Sequence, residues 1–446
     1  MGLNQYEAKK RRLIEQLRAH QGDSVRLGKS TSNLFRDRNG GRNWRLDVSD
    51  LNEVLTINKA ELWAEAEGMT SYQDIVKATL SCGLMPTVVP ELKSITIGGA
   101  VTGVGIESSS FKYGLVHEGI VQMEVLLADG NVVLSSPTNE YSDLYFAFPN
   151  SYGTLGYALK LRLKLVPVKD YVRLTHTLHT NVDTYFAEVE KACNHDFDFV
   201  DGTVFSKSEM YLTTGKFIDD APYTSDYTYE NIYYRSIRQR EIDYLSTVDY
   251  IWRWDTDWFW CSKNVGAQNP LVRRLLGRAR LNSVTYTRIM RWNSRLALTR
   301  RLEGALGWHS ESVIQDVDIP IENAARFLEF FHREIGITPI WVCPIGHCHR
   351  GQRFPLYPLD ADTLYVNFGF WDSVRSREQR PPGYLNRKVE RAVAELGGIK
   401  SLYSDSYYSR EEFWQIYNRP VYRELKSRYD PDGRFKDLFE KCVLRQ

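Results

Sequence analysis

Thr96 to Gly130 reads "TIGGAVTGVGIESSSFKYGLVHEGIVQMEVLLADG", with Gly98, Gly99, Gly103 and Gly105 crowded ahead of Ser108, Ser109 and Ser110. Glycine loses more conformational freedom on folding than any other residue, so a cluster of it belongs where something must approach the backbone closely. Successive small residues also let backbone N–H groups converge on an anion, and serine hydroxyls add donors. The stretch from Thr96 and Ile97 onward therefore predicts a loop that cradles a large ligand. Behind it, "VQMEVLLADGNVVLSS" sets Asp129-Gly130 between two alternating segments. That pattern predicts a hairpin closed by a type I′ turn.

The surroundings read as short strands with one clear helix. "WRLDVSDLNEVLTINKAELWAEAEG" alternates apolar and polar residues in brief runs, as successive strands do. "TSYQDIVKATLSCG" has a Thr/Ser start, helical spacing of Ile75, Val76 and Leu80, and Gly83 as a stop. "SDLYFAFPNSYGTLGYALKLRLKLVPV" predicts a helical piece, a turn and a long alternating strand. The fold class is α+β. Regular βαβ alternation and a strict GxGxxG fingerprint are both missing, which argues against a doubly wound dinucleotide domain. After Val168 strands and helices mix, aromatic residues peak in "DYIWRWDTDWFW", and "SDSYYSREEFWQIYNRPVYRELKSRYDPDGRF" reads as helical until Pro431.

A chain of 446 residues exceeds one small core, so two or three domains are expected. Lys+Arg 57 against Asp+Glu 56 removes the basic excess of a dedicated nucleic-acid binder. The 27 Tyr and 11 Trp suit a deep apolar pocket or a flat-ring ligand. Scattered cysteines and a charged N-terminus without a signal pattern point to a reduced, cytoplasmic protein. "WVCPIGHCHR" groups Cys343, His347, Cys348 and His349, but no second ligand pair accompanies them, so no metal site is expected. No apolar run is long enough to cross a bilayer. The helix expected over Gln5 to His20, with Lys9, Lys10, Arg11 and Arg12 beside Leu13, Ile14 and Leu17, could lie on an anionic membrane face.

Taken together, "TIGGAVTGVGIESSSFKYG", "LADG", "SDLYFAFPNSYGTLGY", "TPIWVCP", "LYSDSYYSREEFW" and "YDPDG" resemble flavoproteins of the vanillyl-alcohol-oxidase/p-cresol-methylhydroxylase class. Within it they resemble the delta-24 sterol reductase (Diminuto-like) branch. The resemblance implies a two-subdomain PCMH-type FAD-binding domain over 1–168, an α+β substrate (cap) domain over 169–400, and a segment 401–446 that returns to the FAD domain. It implies FAD against the Gly98–Ser110 loop, a first diphosphate loop at Gly28, Lys29, Ser30, Thr31, Ser32 and Asn33, and a third wall at Gly153, Thr154 and Gly156. None of these loops contains the histidine that attaches flavin covalently in many members, so the FAD is expected to be non-covalent.

Phe111 stands where the sterol reductases tend to have His, and the N-terminal membrane helix of the animal and plant enzymes is not seen. Both features favour similarity to the bacterial flavin reductases that convert a 10-methylene fatty acyl chain to a 10-methyl branch. The implied reaction is reduction of a lipid C=C bond with electrons from NADPH or NADH. A lipid methyltransferase is then an implied partner, and the inner membrane face an implied location. An alcohol or sugar-lactone oxidase and a flavin-free lipid-binding protein are the alternatives. Protonation of an isolated alkene at its less substituted carbon, with hydride added to the other, needs a buried acid. Candidates are Glu107, Asp316 and, as a weaker donor, Tyr407. Tyr407, Tyr408 and Arg410 are candidates to meet the flavin, and Trp252, Trp254 and Trp258 to stabilise a transient cation.

Overall fold

Alternating sequence builds two antiparallel sheets whose facing sides enclose the candidate site. The computed structural model describes residues 2–20, 22, 24–29, 35–36, 44–296, 306–346 and 354–446, apart from the side chains of 291–296. Helix α1 (Gly2–Ala19) precedes a short parallel pair, β1 (Arg26–Gly28) and β2 (Arg45–Asp47). The first sheet follows with β3 (Val54–Asn58), β4 (Trp63–Glu67), β5 (Leu84–Pro86), β6 (Ile120–Leu126), β7 (Val132–Ser135) and β8 (Tyr157–Pro167). Its order is β3-β4-β8-β6-β7, with β5 paired to the far end of β8.

Strand β8 shows why the sheet forms. In "YALKLRLKLVP", Leu159, Leu161, Leu163 and Leu165 alternate inward and are buried, each contributing about 2 kcal/mol. Between them Lys160 and Arg162 turn outward to Glu124 at 2.7 Å and Glu65 at 2.8 Å. Helix α2 (Tyr72–Leu80) has Ser71 as its N-cap, whose hydroxyl accepts from Asp74 N–H at 3.2 Å. Gly83 follows in the left-handed region.

The second sheet has eight strands: β9 (Tyr171–His179), β10 (Phe199–Ser206), β11 (Glu209–Ile218), β12 (Ile242–Ser246), β13 (His309–Pro320), β14 (Ile340–Ile345), β15 (Tyr365–Ser376) and β16 (Ile399–Lys400). They run in the order β12-β9-β11-β10-β14-β15-β13-β16. Helices Val182–Cys193, Ile321–Glu334 and Tyr384–Glu395 pack Phe186, Phe327, Phe331 and Val389 onto one face. The other face looks toward the first sheet.

Two sequence expectations need correction. The β6–β7 connection is not type I′, since Gly130 has positive φ and Asp129 does not. Leu127 N–H donates to the Asn131 carbonyl at 2.8 Å, and the Asp129 carboxylate accepts from Asn131 N–H. A three-residue connection with glycine in the left-handed region satisfies the strand twist with one special position instead of two. The last segment is also not one helix. Arg410–Ile416 and Arg419–Tyr429 are separated by Asn418 at φ 49°, which also caps the second helix.

Candidate functional site

A cavity of about 510 Å³ lies between the two sheets, within the range usual for ligand sites. One wall is nearly free of side chains. It is built on α3 (Ile97–Thr102), whose N-cap Thr96 accepts from Gly99 N–H at 3.3 Å. Gly98 N–H donates to the Gly68 carbonyl at 2.9 Å, and a Cβ on Gly98 would stand 2.7 Å from that oxygen. A Cβ on Gly68 would stand 2.0 Å from the Ala158 carbonyl of β8. Gly103 is confined against Gly99, and Gly105 against Pro90 and Val116. Most of these glycines thus let three backbone segments close on one another. Gly99 differs: an added Cβ meets only the Thr96 hydroxyl, at 2.9 Å. It lines the cavity and is exposed there.

Thr96, Gly98, Gly99, Gly103, Gly105, Lys29, Gly153 and Gly156 all line this cavity. Several expected positions do not. Gly28 lies within β1 against Leu46, while its neighbours Leu27 and Lys29 reach the cavity. Ser30, Thr31, Ser32 and Asn33 lie outside the described residues. Ile97 points into the core. The three serines are buried where the two sheets meet. Ser108 shares a hydrogen bond with the Tyr250 hydroxyl, Ser109 donates to the Thr87 carbonyl, and Ser110 accepts from Glu107 N–H. Their backbone carbonyls add contacts, from Val200 N–H to Ser108 and from Gly346 N–H to Ser110. The serine run is therefore a joint between the sheets, and Phe111 beside it packs into the core of the second sheet. Thr154 is buried, its hydroxyl on the Ser151 carbonyl and its own carbonyl on Lys426.

Cations gather on the same cavity. Arg26 and Arg45 stand side by side in the β1–β2 register, and Lys29, Arg36 and Lys441 also line it. Burial and then Arg45 lower the pKa of Arg26, an arrangement that favours an anion between them. Arg36 reaches the Leu402 carbonyl and Cys442 Sγ, and Phe35 N–H donates to the Tyr403 carbonyl. These contacts fasten the last segment against the start of the chain. A side-chain-free wall, a cluster of cations and a long aromatic chamber fit a dinucleotide that carries a flat ring.

The opposite end is aromatic and acidic. Along "SVIQDVDIP" in β13, Ile314, Asp316 and Asp318 share one face, while Val313, Gln315, Val317 and Ile319 are buried on the other. Asp316 and Asp318 line the cavity with Trp258, Phe259, Trp341, Tyr357, Trp371 and Tyr403. Asp318 is fully bonded, accepting from Asn367 Nδ2 and the Tyr357 hydroxyl, each at 2.7 Å. Asp316 accepts from the Tyr403 hydroxyl, which itself accepts from Trp371 Nε1 at 2.8 Å. Its Oδ1 has no protein partner. Gly369, opposite Asp316 in the register, leaves the space this oxygen occupies. Burial raises Asp316 to about 8, with Tyr403 opposing the shift and Asp318 adding to it. Burial raises Asp318 to about 6, against the two hydrogen bonds it accepts.

Glu107 and the C-terminal candidates Tyr407, Tyr408 and Arg410 fall elsewhere. Buried Arg253 is shared by Glu91, Glu107 at 2.9 Å and Asp201 at 3.0 Å. Glu107 is thus held as an ion-pair partner behind the wall. Asp201 accepts from Trp341 Nε1 at 3.1 Å, so this charge cluster orients one ring of the cavity. The Tyr407 hydroxyl accepts from Arg445, and Arg410 is exposed over the Phe439 ring, so neither lines the cavity. From the last segment Ser401, Tyr403, Lys441 and Gln446 line it instead. Among the three tryptophans Trp258 lines it, whereas Trp254 stacks on Phe259 behind and Trp252 lies near Lys93. Trp258, Phe259 and Trp260 have φ of 48°, 45° and 48°. Three bulky residues in the left-handed region make a strained turn, a feature that clusters at functional sites. Asp318, Asn367, Trp341, Trp371 and Tyr403 were missed from sequence. The alternation in "QDVDIP" and "YVNFGFW" was the signal that could have found Asp318, Asn367 and Trp371.

Residues 7–136 match the family described as FAD binding domain. Over 409 residues the chain is 27% identical to the Delta(24)-sterol reductases of Mus musculus and Homo sapiens, covering 88% of this chain and 76% of each relative. The Arabidopsis thaliana Delta(24)-sterol reductase is 27% identical over 448 residues, 91% of this chain and 77% of that one. Cytokinin dehydrogenase 7 of Oryza sativa subsp. japonica is 29% identical over 147 residues, 32% of this chain and 28% of its own length. Glycine wall, cations and these likenesses converge: the chain carries a PCMH-type FAD-binding domain and is a flavin-dependent oxidoreductase similar over most of its length to the Delta(24)-sterol reductases.

Proposed function

We propose that this oxidoreductase reduces an isolated C=C bond in a lipid, either a methylene-branched acyl chain or a sterol-like side chain, with electrons drawn from NADPH or NADH. The reading rests above all on Asp316, a carboxyl kept protonated at neutral pH at the aromatic end of the cavity. An isolated alkene has no carbonyl to accept electrons, so a proton must come from an acid in place. Asp316 gives that proton to the less substituted carbon, leaving positive charge at the tertiary carbon. FAD, when bound and reduced by the nicotinamide, would supply the hydride equivalent that completes the reduction. Asp316, left as carboxylate, keeps its bond from Tyr403 and takes a new proton through the cavity. The faces of Trp258, Trp341 and Trp371 offset the transient positive charge. Lys29, Arg26 and Arg45 hold the cofactor's phosphates, and the glycine wall admits its body. One cavity then serves nicotinamide and lipid in turn.

The test is anaerobic. Holoenzyme is reduced with dithionite, and 10-methylene acyl lipids, sterols with a side-chain double bond and simple alcohols are added separately. Reoxidation by an alkene is expected, with the saturated lipid as product, while the alcohols leave the flavin reduced. Reoxidation by oxygen but by no alkene, or reduction of the oxidised holoenzyme by an alcohol, sinks the proposal.

A further inference from the structure

The three most exposed large apolar side chains among the described residues are Leu275 at 83%, Leu271 at 69% and Leu306 at 67%. Leu271 and Leu275 lie one turn apart on the helix Pro270–Leu276, so they share a face. The helix Ser283–Leu296 follows after six residues and exposes Val284, Arg288 and Ile289. Arg274, Arg278 and Arg280 are exposed as well. From Pro270 to Leu296 the chain holds seven arginines and no Asp or Glu. Arg274 and Arg278 reach Glu230 at 3.5 Å and Asp226 at 2.7 Å, but pairs this exposed bind weakly and yield to salt.

The underside of this region is fixed. Buried Arg273 bonds Asp257 at 2.6 Å, Ser283 donates to Asp255 at 2.5 Å, and Tyr286 donates to the Thr256 carbonyl at 2.9 Å. The Tyr286 ring stacks beside Trp258, which lines the cavity. An outward layer of leucine and arginine is thus bolted to the wall of the site.

We propose that residues 271–289 form a docking surface for an anionic lipid bilayer, with Leu271 and Leu275 entering the acyl boundary and the arginines on lipid phosphates. Protruding leucines among arginines match such an interface. A second copy of the chain would set arginine against arginine, and a nucleic acid would leave the leucines without a partner. The proposal stands apart from the reaction assigned to the cavity. Lys9, Lys10 and Arg12 of α1, the region expected to meet a membrane, are instead paired with Glu67, Glu124 and Asp50.

Flavin-loaded full-length protein is sedimented with vesicles of phosphatidylglycerol and phosphatidylcholine in equal parts, and with phosphatidylcholine alone. Co-sedimentation with the anionic vesicles only is expected, falling at about 0.5 M salt. Leu271→Ser with Leu275→Ser, and separately Arg280→Gln with Arg288→Gln, should each weaken it about tenfold while flavin absorbance and melting midpoint are kept. Three results would overturn the proposal: no binding to anionic vesicles, equal binding to both kinds, or leucine variants that bind as well as the parent.

Discussion

The proposed chemistry rests on one side chain, Asp316, and its environment fixes how that chemistry would depend on pH. The Tyr403 hydroxyl steadies the carboxylate and so lowers a pKa that burial has raised to about 8. If Asp316 is the proton donor, alkene reduction falls above that value as the acid is lost. Asp316→Asn should slow lipid-driven flavin reoxidation roughly 10²–10⁴-fold, leave flavin bound and abolish the alkaline limb. Tyr403→Phe removes the bond that favours the charged form, so the limb should move to higher pH; an unmoved or acid-shifted limb would break the link. Stability carries an independent signature. Because the folded-state pKa is raised, the contribution of Asp316 is full below its unfolded value and is lost as pH rises through about 8. Thermal melts should therefore show Asp316→Asn gaining on the parent between about pH 5 and pH 8, where the unfolded carboxyl is already ionised.

Elements explain which glycines can be altered. A Cβ on Gly98 collides with the Gly68 carbonyl, whereas one on Gly99 meets only the Thr96 hydroxyl. Gly98→Ala should lower the melting midpoint of the apoprotein itself. Gly99→Val should fold and lose FAD, read as colourless protein with an unchanged apoprotein melt; stoichiometric flavin in that variant would show that the wall does not face the cofactor. Helix α2 was legible because its cap and stop are local, and β8 because leucine alternates over its whole length. The glycine cluster was legible as a wall, but its cause was only half visible. The partners of Gly68 and Gly98 come from distant segments, and composition alone cannot name them. Ser108 to Ser110 read as phosphate donors because serine beside glycine suggests an anion loop. Their actual partners, Tyr250 and the Thr87 carbonyl, are fixed by how the two sheets meet. Glu107 was misread for the same reason, since Arg253 lies far along the chain.

At the scale of the molecule the site is a seam. First sheet, second sheet and C-terminal segment each supply a wall, and Arg36, Lys426 and Arg434 tie that last segment to the first domain. No histidine stands among the described residues lining the cavity. Acid precipitation of the holoprotein should accordingly release yellow flavin to the supernatant; colour retained in the pellet would reveal a covalent link. Among the described residues no helix is long and apolar enough to cross a membrane.

The turn at Trp258, Phe259 and Trp260 has an evolutionary consequence. Left-handed backbone at three aromatic residues is costly, and glycine at any one of them would relax the chain. Each such change would also take a ring from the chamber or from its backing. Heat tolerance and cavity shape are therefore under opposed selection at these three positions. Laboratory lineages chosen for thermal endurance alone should erode this corner before any other part of the chamber, and lose turnover as they gain robustness.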